Sequence, residues 1–157
     1  MNPTLRTLSL ALVSLLLVAC GRKEPAPAAH SGGHVHTAPH GGMLIELGDH
    51  AYNLELLRDP ASGKITVWVL DGHAENFVRI KAAAIEASVT VGGEKKSLAL
   101  KAVANAATGE TVGDTSQFEA QAEWLKGAAS VELSVPSIEI KGRRFERLSG
   151  KVGVAAK

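Results

Sequence analysis

A single cysteine, Cys20, occurs in 157 residues, which excludes an internal disulfide and any thiolate cage for a metal ion. Charge of either sign is barely in excess: the formal net charge is +1, so no basic field exists to neutralise phosphates, and nucleic acid is excluded as a partner. Aromatic residues are only 4% of the chain, so a core must rest on Val, Leu, Ile and Ala with two Trp and three Phe as larger anchors. No histidine follows His73, and neither Gly-x-Ser-x-Gly nor a Gly-rich phosphate loop is present. With no downstream histidine to pair with a Ser or Asp and no phosphate cradle to carry chemistry, the expectation is a binding protein and not an enzyme. The acids are spread along the chain, and none is expected to sit in an apolar run that would perturb its titration.

What the chain does have begins with an apolar run from Leu8 to Val18 behind Arg6. That is the length of an export-signal core and too short to cross a bilayer comfortably. The run ends in Leu17-Val18-Ala19-Cys20-Gly21, which resembles the lipobox of bacterial lipoproteins, in which the cysteine takes a diacylglyceryl thioether and becomes the mature N-terminus. The resemblance implies cleavage of residues 1–19, covalent lipid on Cys20 and a membrane anchor, since two or more buried acyl chains hold a soluble domain durably where one does not. Gly21 in place of Asp resembles lipoproteins passed to the outer membrane of diderm bacteria, which implies a domain facing the periplasm. The alternative is a plain secretory signal that happens to end near a cysteine.

Residues 20–39 change character to Pro, Ala, Gly, Ser and His, with Val35 the only large apolar side chain. A segment of this composition has nothing to bury, so a disordered tether is expected. Four of the six histidines of the chain, His30, His34, His36 and His40, fall in one eleven-residue stretch that ends just past this segment, separated by three, one and three residues. Neutral imidazoles on a Gly-interrupted segment can gather around one Zn(II), Cu(II) or Ni(II) ion, whereas Ca(II) and Mg(II) want oxygen donors that this stretch lacks. Two other readings stay open: a solvated polar spacer, and a tether whose rings gain charge together on acidification.

The tether runs into Pro39-His40-Gly41-Gly42, then Met43-Leu44-Ile45-Glu46-Leu47-Gly48 and His50-Ala51-Tyr52-Asn53-Leu54-Glu55-Leu56. Gly41-Gly42 permits a sharp turn that points His40 back over the edge of the domain. Met43 is either a thioether ligand for Cu(I) or, more simply, a strand residue filling a gap in the core. His50 and His73 are further metal candidates, with Glu46 and Asp49, if the turns at Gly48-Asp49 and Asp71-Gly72 share one end of the domain; otherwise both are ordinary turn residues. This opening, together with Val67-Trp68-Val69-Leu70-Asp71-Gly72-His73-Ala74, resembles the PHGG and VYVLD stretches of a group of bacterial envelope lipoproteins with a His-rich leader. It is similar to short metal-associated modules on periplasmic adaptor proteins of heavy-metal efflux systems. The resemblance covers His34 to Ile80 and implies an envelope metal-handling role.

Behind the motif, apolar and polar residues alternate at period two through Ile85, Ala87, Val89 and Val91 and again through Val131, Leu133 and Val135, the pattern of half-buried strands. Gly92-Gly93 and Lys141-Gly142 fit hairpin turns. Ile65 to Leu70 is apolar on both parities, which suits a strand covered on both faces. Strands are also expected at Phe77–Ile80 and Gln117–Ala122, a loop at 102–113, and a corner at Trp124 with its ring on the core. Residues 40–157 are thus expected to form an all-β, antiparallel, immunoglobulin-like sandwich of about eight strands.

Taken together, these features predict a lipid-anchored envelope protein that binds Zn or Cu through its His-rich segment, for buffering, resistance or hand-off to a heavy-metal efflux or delivery protein. The competing prediction is an interaction module that docks on another envelope protein through a sheet edge and has no metal role.

Overall fold

The computed structural model describes residues 36–154, which fall within one compact unit, His34–Lys157. Nine strands follow in chain order: β1 (Met43–Leu47), β2 (Tyr52–Asp59), β3 (Lys64–Asp71), β4 (Ala84–Val91), β5 (Glu94–Ala102), β6 (Gln117–Gln121), β7 (Val131–Ile140), β8 (Arg143–Lys151) and β9 (Gly153–Val154). Among the described residues the only helical element is one 3₁₀ turn, Glu123–Leu125, and no helix is long and apolar enough to cross a membrane. The all-β, antiparallel expectation of about eight strands is met.

The strands join in the order β1-β2-β3-β6-β5-β4-β7-β8. The chain leaving β8 then adds β9 in parallel to β2, Leu57 opposite Gly153 and Arg58 opposite Val154. β1 occupies the same edge of β2 from Tyr52 to Leu56, so β1 and β9 share one edge end to end. The result is a nearly closed barrel or sandwich with β1 and β8 as its terminal strands. Tyr52 and Phe145 meet edge to face across it, ring centroids 5.8 Å apart.

The core follows from the alternation. Leu54 and Leu56, Ile65, Val67 and Val69, Ile85, Ala87 and Val89, Phe118, and Val131, Leu133 and Val135 all face inward and are buried. In β7 the buried parity then switches, from Val135 to Ile138 and Ile140. β7 is paired to β4 only as far as Ser134, and the next position but one is Pro136, which has no N–H to give to a ladder. Its opposite number on β8, Arg147, has φ +56°, and the β7–β8 register continues on both sides. The hairpin therefore turns over as a unit at Pro136 and Arg147, which lets it fold across the core without losing pairing.

One expected strand is corrected. Residues 77–80 make only isolated bridges, Leu70 to Phe77 and Ile80 to Thr115. Val78 N–H donates to Val69 O at 2.8 Å while Ile80 N–H donates to Thr115 O at 2.9 Å. Successive bonds go to different partners, so no ladder register can propagate. The corner at Trp124 is as expected: the half-buried ring packs on the core, with Lys96 Nζ 5.3 Å from its centroid.

A histidine-bearing strap and rim as candidate functional site

β2 and β3 are buried on both faces, and the outer face is covered by residues 36–42, which form a strap ahead of β1. Pro39 and His40 are the central residues of a turn closed by Gly41 N–H to Ala38 O, 3.0 Å; proline pre-sets the first of these positions. Gly41 takes φ +74°, and a Cβ on Gly42 would come within 2.7 Å of Leu56 O and 2.8 Å of Glu55 Cγ. The Gly-Gly pair thus lets the backbone turn and then press flat on β2.

The strap is fastened by one carboxylate. Glu55, on the outward parity of β2, is 0% exposed. Its Oε1 accepts the N–H groups of His40 (2.8 Å) and Gly42 (2.9 Å), and its Oε2 lies 2.9 Å from His40 Nδ1. Because a carboxylate accepts, Nδ1 is the donor, which leaves Nε2 of His40 outside the latch. The imidazole stacks on Trp68 with centroids 3.8 Å apart and planes 14° off parallel, and Phe77 lies tilted at 5.6 Å. A buried carboxylate with three N–H partners satisfies the requirement that such a group be hydrogen-bonded. His40, expected at a hinge, is therefore the pin that docks the leader.

Upstream of the pin, the strap brings His36 to the rim of the domain. Its ring lies 5.6 Å from that of His73 and 6.1 Å from that of His50, edge to face in both cases. The two turns do share one end: Tyr52 pairs with Asp71 across β2 and β3. Asn53 Nδ2 donates to the carbonyls of Asp71 and Gly72, 3.0 Å each. A Cβ at Gly72 would collide with the carbonyl of His50, so only glycine allows the His73 turn to sit directly on the His50 turn. Asp49 and His50 themselves have φ of +35° and +58°, a left-handed backbone that costs a non-glycine residue about 1–2 kcal/mol.

Two carboxylates of this rim, Glu46 and Asp71, are engaged, while Asp49 is exposed. Glu46 Oε1 accepts His50 N–H at 3.0 Å and Oε2 lies 3.2 Å from His50 Nδ1. Burial alone would push the Asp71 carboxyl up, but Asn76 Nδ2 and the N–H groups of Glu75, Asn76 and His73 outweigh it and hold it below its ordinary value. Among the described residues no group of three or more His, Cys, Asp or Glu converges on a point as it stands; the three rim rings are neighbours packed edge to face.

Of the other residues singled out by sequence, Met43 begins β1 and is 50% exposed, which corrects the expectation that it fills a gap in the core. The reason is its position as the first residue of β1, the terminal strand of the sheet order, which has a neighbour on one side only. Cys20, His30 and His34, the signal segment and the greater part of the tether lie outside the described residues. Sequence reasoning missed Glu55, which lies between the buried Leu54 and Leu56 on β2. It also missed the wall of a small cleft, about 140 Å³, between His40, Trp68, Phe77, Glu110, Ser116 and Gln117. Within that wall, burial would raise the Glu110 carboxyl, yet hydrogen bonds from the Ser116 and Thr108 hydroxyls and Ser116 N–H, with Arg79 nearby, hold it below its usual value. A larger cleft of about 570 Å³, bounded by Arg79, Lys81, Asp114, Glu139 and Lys141, contains no histidine.

Compared with family models, curated proteins and solved structures, the chain matches none.

Proposed function

We propose that this is a lipid-anchored protein of the bacterial envelope that binds Zn(II) or copper through the histidines leading into, and exposed on, its β domain. Its role is to buffer the ion or pass it to an efflux or delivery partner. The single observation that carries the reading is the meeting of His36, from the leader, with His50 and His73, from two separate turns. Donors gathered from distant parts of a chain onto one rim are what capture of a borderline cation requires, and nitrogen donors favour Zn(II), Cu(II) and Ni(II) over Ca(II) or Mg(II). The anchor rests on the Leu17-Val18-Ala19-Cys20 sequence.

The test is calorimetric titration of the full chain in detergent with Zn(II), Cu(II) and Ni(II), beside a variant with His30, His34, His36 and His40 changed to Ala. Metal binding by the histidines weakens at least ten-fold in the variant, about 1.4 kcal/mol. Equal, weak binding by both proteins overturns the reading and leaves an anchored interaction module.

A further inference from the structure

We infer that His36, His50 and His73 form one discrete metal site, split between the strap and the two turns. It takes a single tetrahedral Zn(II)-type ion on three imidazoles and keeps a fourth position open. This rests on the metal-binding reading above and narrows it: the ligands are one leader histidine and two domain histidines, while His40 positions the first of them.

Spacing supports the assignment. Imidazoles bound to one tetrahedral ion at metal–nitrogen distances of about 2.0–2.1 Å hold their ring centroids roughly 5 Å apart. His36 stands 5.6 and 6.1 Å from its two neighbours, within about 1 Å of that spacing. None of the three rings is fully buried: His50 and His73 are exposed and His36 is half-buried. The platform beneath them is fixed, since Gly72 rests on the His50 carbonyl and Asn53 ties the Asp71–Gly72 turn to β2. His50 already directs Nδ1 to the Glu46 carboxylate at 3.2 Å, and a ligating histidine characteristically gives its second nitrogen to such a partner, leaving Nε2 for the ion. Asp71 is held by Asn76 and Glu75, and Glu46 by His50, so both of these carboxylates already have partners. His40 is set four residues downstream of His36 and bound to buried Glu55 and Trp68, which holds the strap, and with it His36, against the rim. Three nitrogens and an open position make a site that can exchange its ion with a partner, unlike a closed four-ligand structural site.

The experiment uses the full chain in detergent, titrated with Co(II) and read by its visible ligand-field bands, then with Zn(II) in competition. The site predicts one Co(II) per chain with the intense bands of four-coordinate cobalt, displaced by Zn(II). His50→Gln and His73→Gln each abolish those bands and weaken Zn(II) at least ten-fold, while His30→Gln/His34→Gln keeps both. Circular dichroism and the thermal midpoint establish that each variant is folded. Should a turn variant fail that check, His36→Gln, which precedes the first strand, carries the same expectation. If His50→Gln and His73→Gln bind as the parent does and His30→Gln/His34→Gln loses the bands, the split site is wrong and the leader alone binds metal. If the parent gives only the spectrum of hydrated cobalt and takes up no Zn(II), the split site and the metal-binding reading fall together.

Discussion

Replacing His40 by alanine removes two interactions from the strap. The stack on Trp68, at 3.8 Å and 14°, is worth about 0.5–1.5 kcal/mol. The bond from Nδ1 to the Glu55 carboxylate, 2.9 Å, belongs to the charge-assisted class, which contributes about 1.5–3 kcal/mol. The ring is 36% exposed, so solvent competes with both, and the expected loss is at the lower end of the sum, about 2 kcal/mol. His40→Phe separates the terms: it keeps a ring over Trp68 and the backbone N–H to Glu55 but offers Glu55 no side-chain donor, so its loss is dominated by the missing Nδ1 hydrogen bond. The measurement is equilibrium urea unfolding with chelator present, in a Trp124→Phe background so that Trp68 is the sole indole. Trp68 emission rises and shifts to the red in His40→Ala, because the imidazole no longer covers it, and changes less in His40→Phe. A His40→Ala protein with the parent's urea midpoint and the parent's Trp68 emission would refute the latch.

Gly72→Ala forces a methyl group against the His50 carbonyl; overpacking of this kind costs about 1–3 kcal/mol, and a thermal midpoint unchanged within a degree would contradict it. His50→Gly relieves the φ of +58°, so its urea midpoint stays at or slightly above the parent's even as Co(II) bands disappear; a large loss of stability would show that the imidazole is needed for folding. Glu110 is held below its ordinary value of 4.5 in the folded state. Its contribution is therefore complete above that value and is lost as the pH falls through the lower, folded-state one. Glu110→Gln removes this dependence, so urea midpoints measured from pH 6 down to pH 3 fall less steeply below pH 4.5 than in the parent; parallel profiles would argue against it.

The strands were legible where one face meets the core and the other meets water. Ile85 to Val91 and Val131 to Val135 alternate because each residue answers to a single environment, and Gly92-Gly93 marks the hairpin because a tight turn needs its backbone freedom. The double-sided apolar pattern of Ile65 to Leu70 correctly signalled a cover on the outer face of β3, but not that the cover is the leader itself. For the same reason Glu55 was overlooked. On local pattern alone a carboxylate between two core leucines belongs in water, and its burial depends on a segment fifteen residues earlier returning to supply three N–H groups. The parity switch at Pro136 and the parallel addition of β9 are likewise set by closure of the sheet, which no window of a few residues contains. Of the metal candidates, the pairing of the His50 and His73 turns was foreseen only as a condition. Its fulfilment depends on the β2–β3 register and on Gly72, and the arrival of His36 depends on the latch.

The position of that latch also decides how the domain responds to force. The polypeptide reaches the barrel through residues 36–42 and only then enters the β1 ladder, with Glu55 gripping the backbone at His40 and Gly42. Tension arriving along the leader is therefore met first by a ring lying flat on an indole and by a buried carboxylate. β1 stays unloaded until those yield, so the strap works as a strain relief for the edge strand behind it.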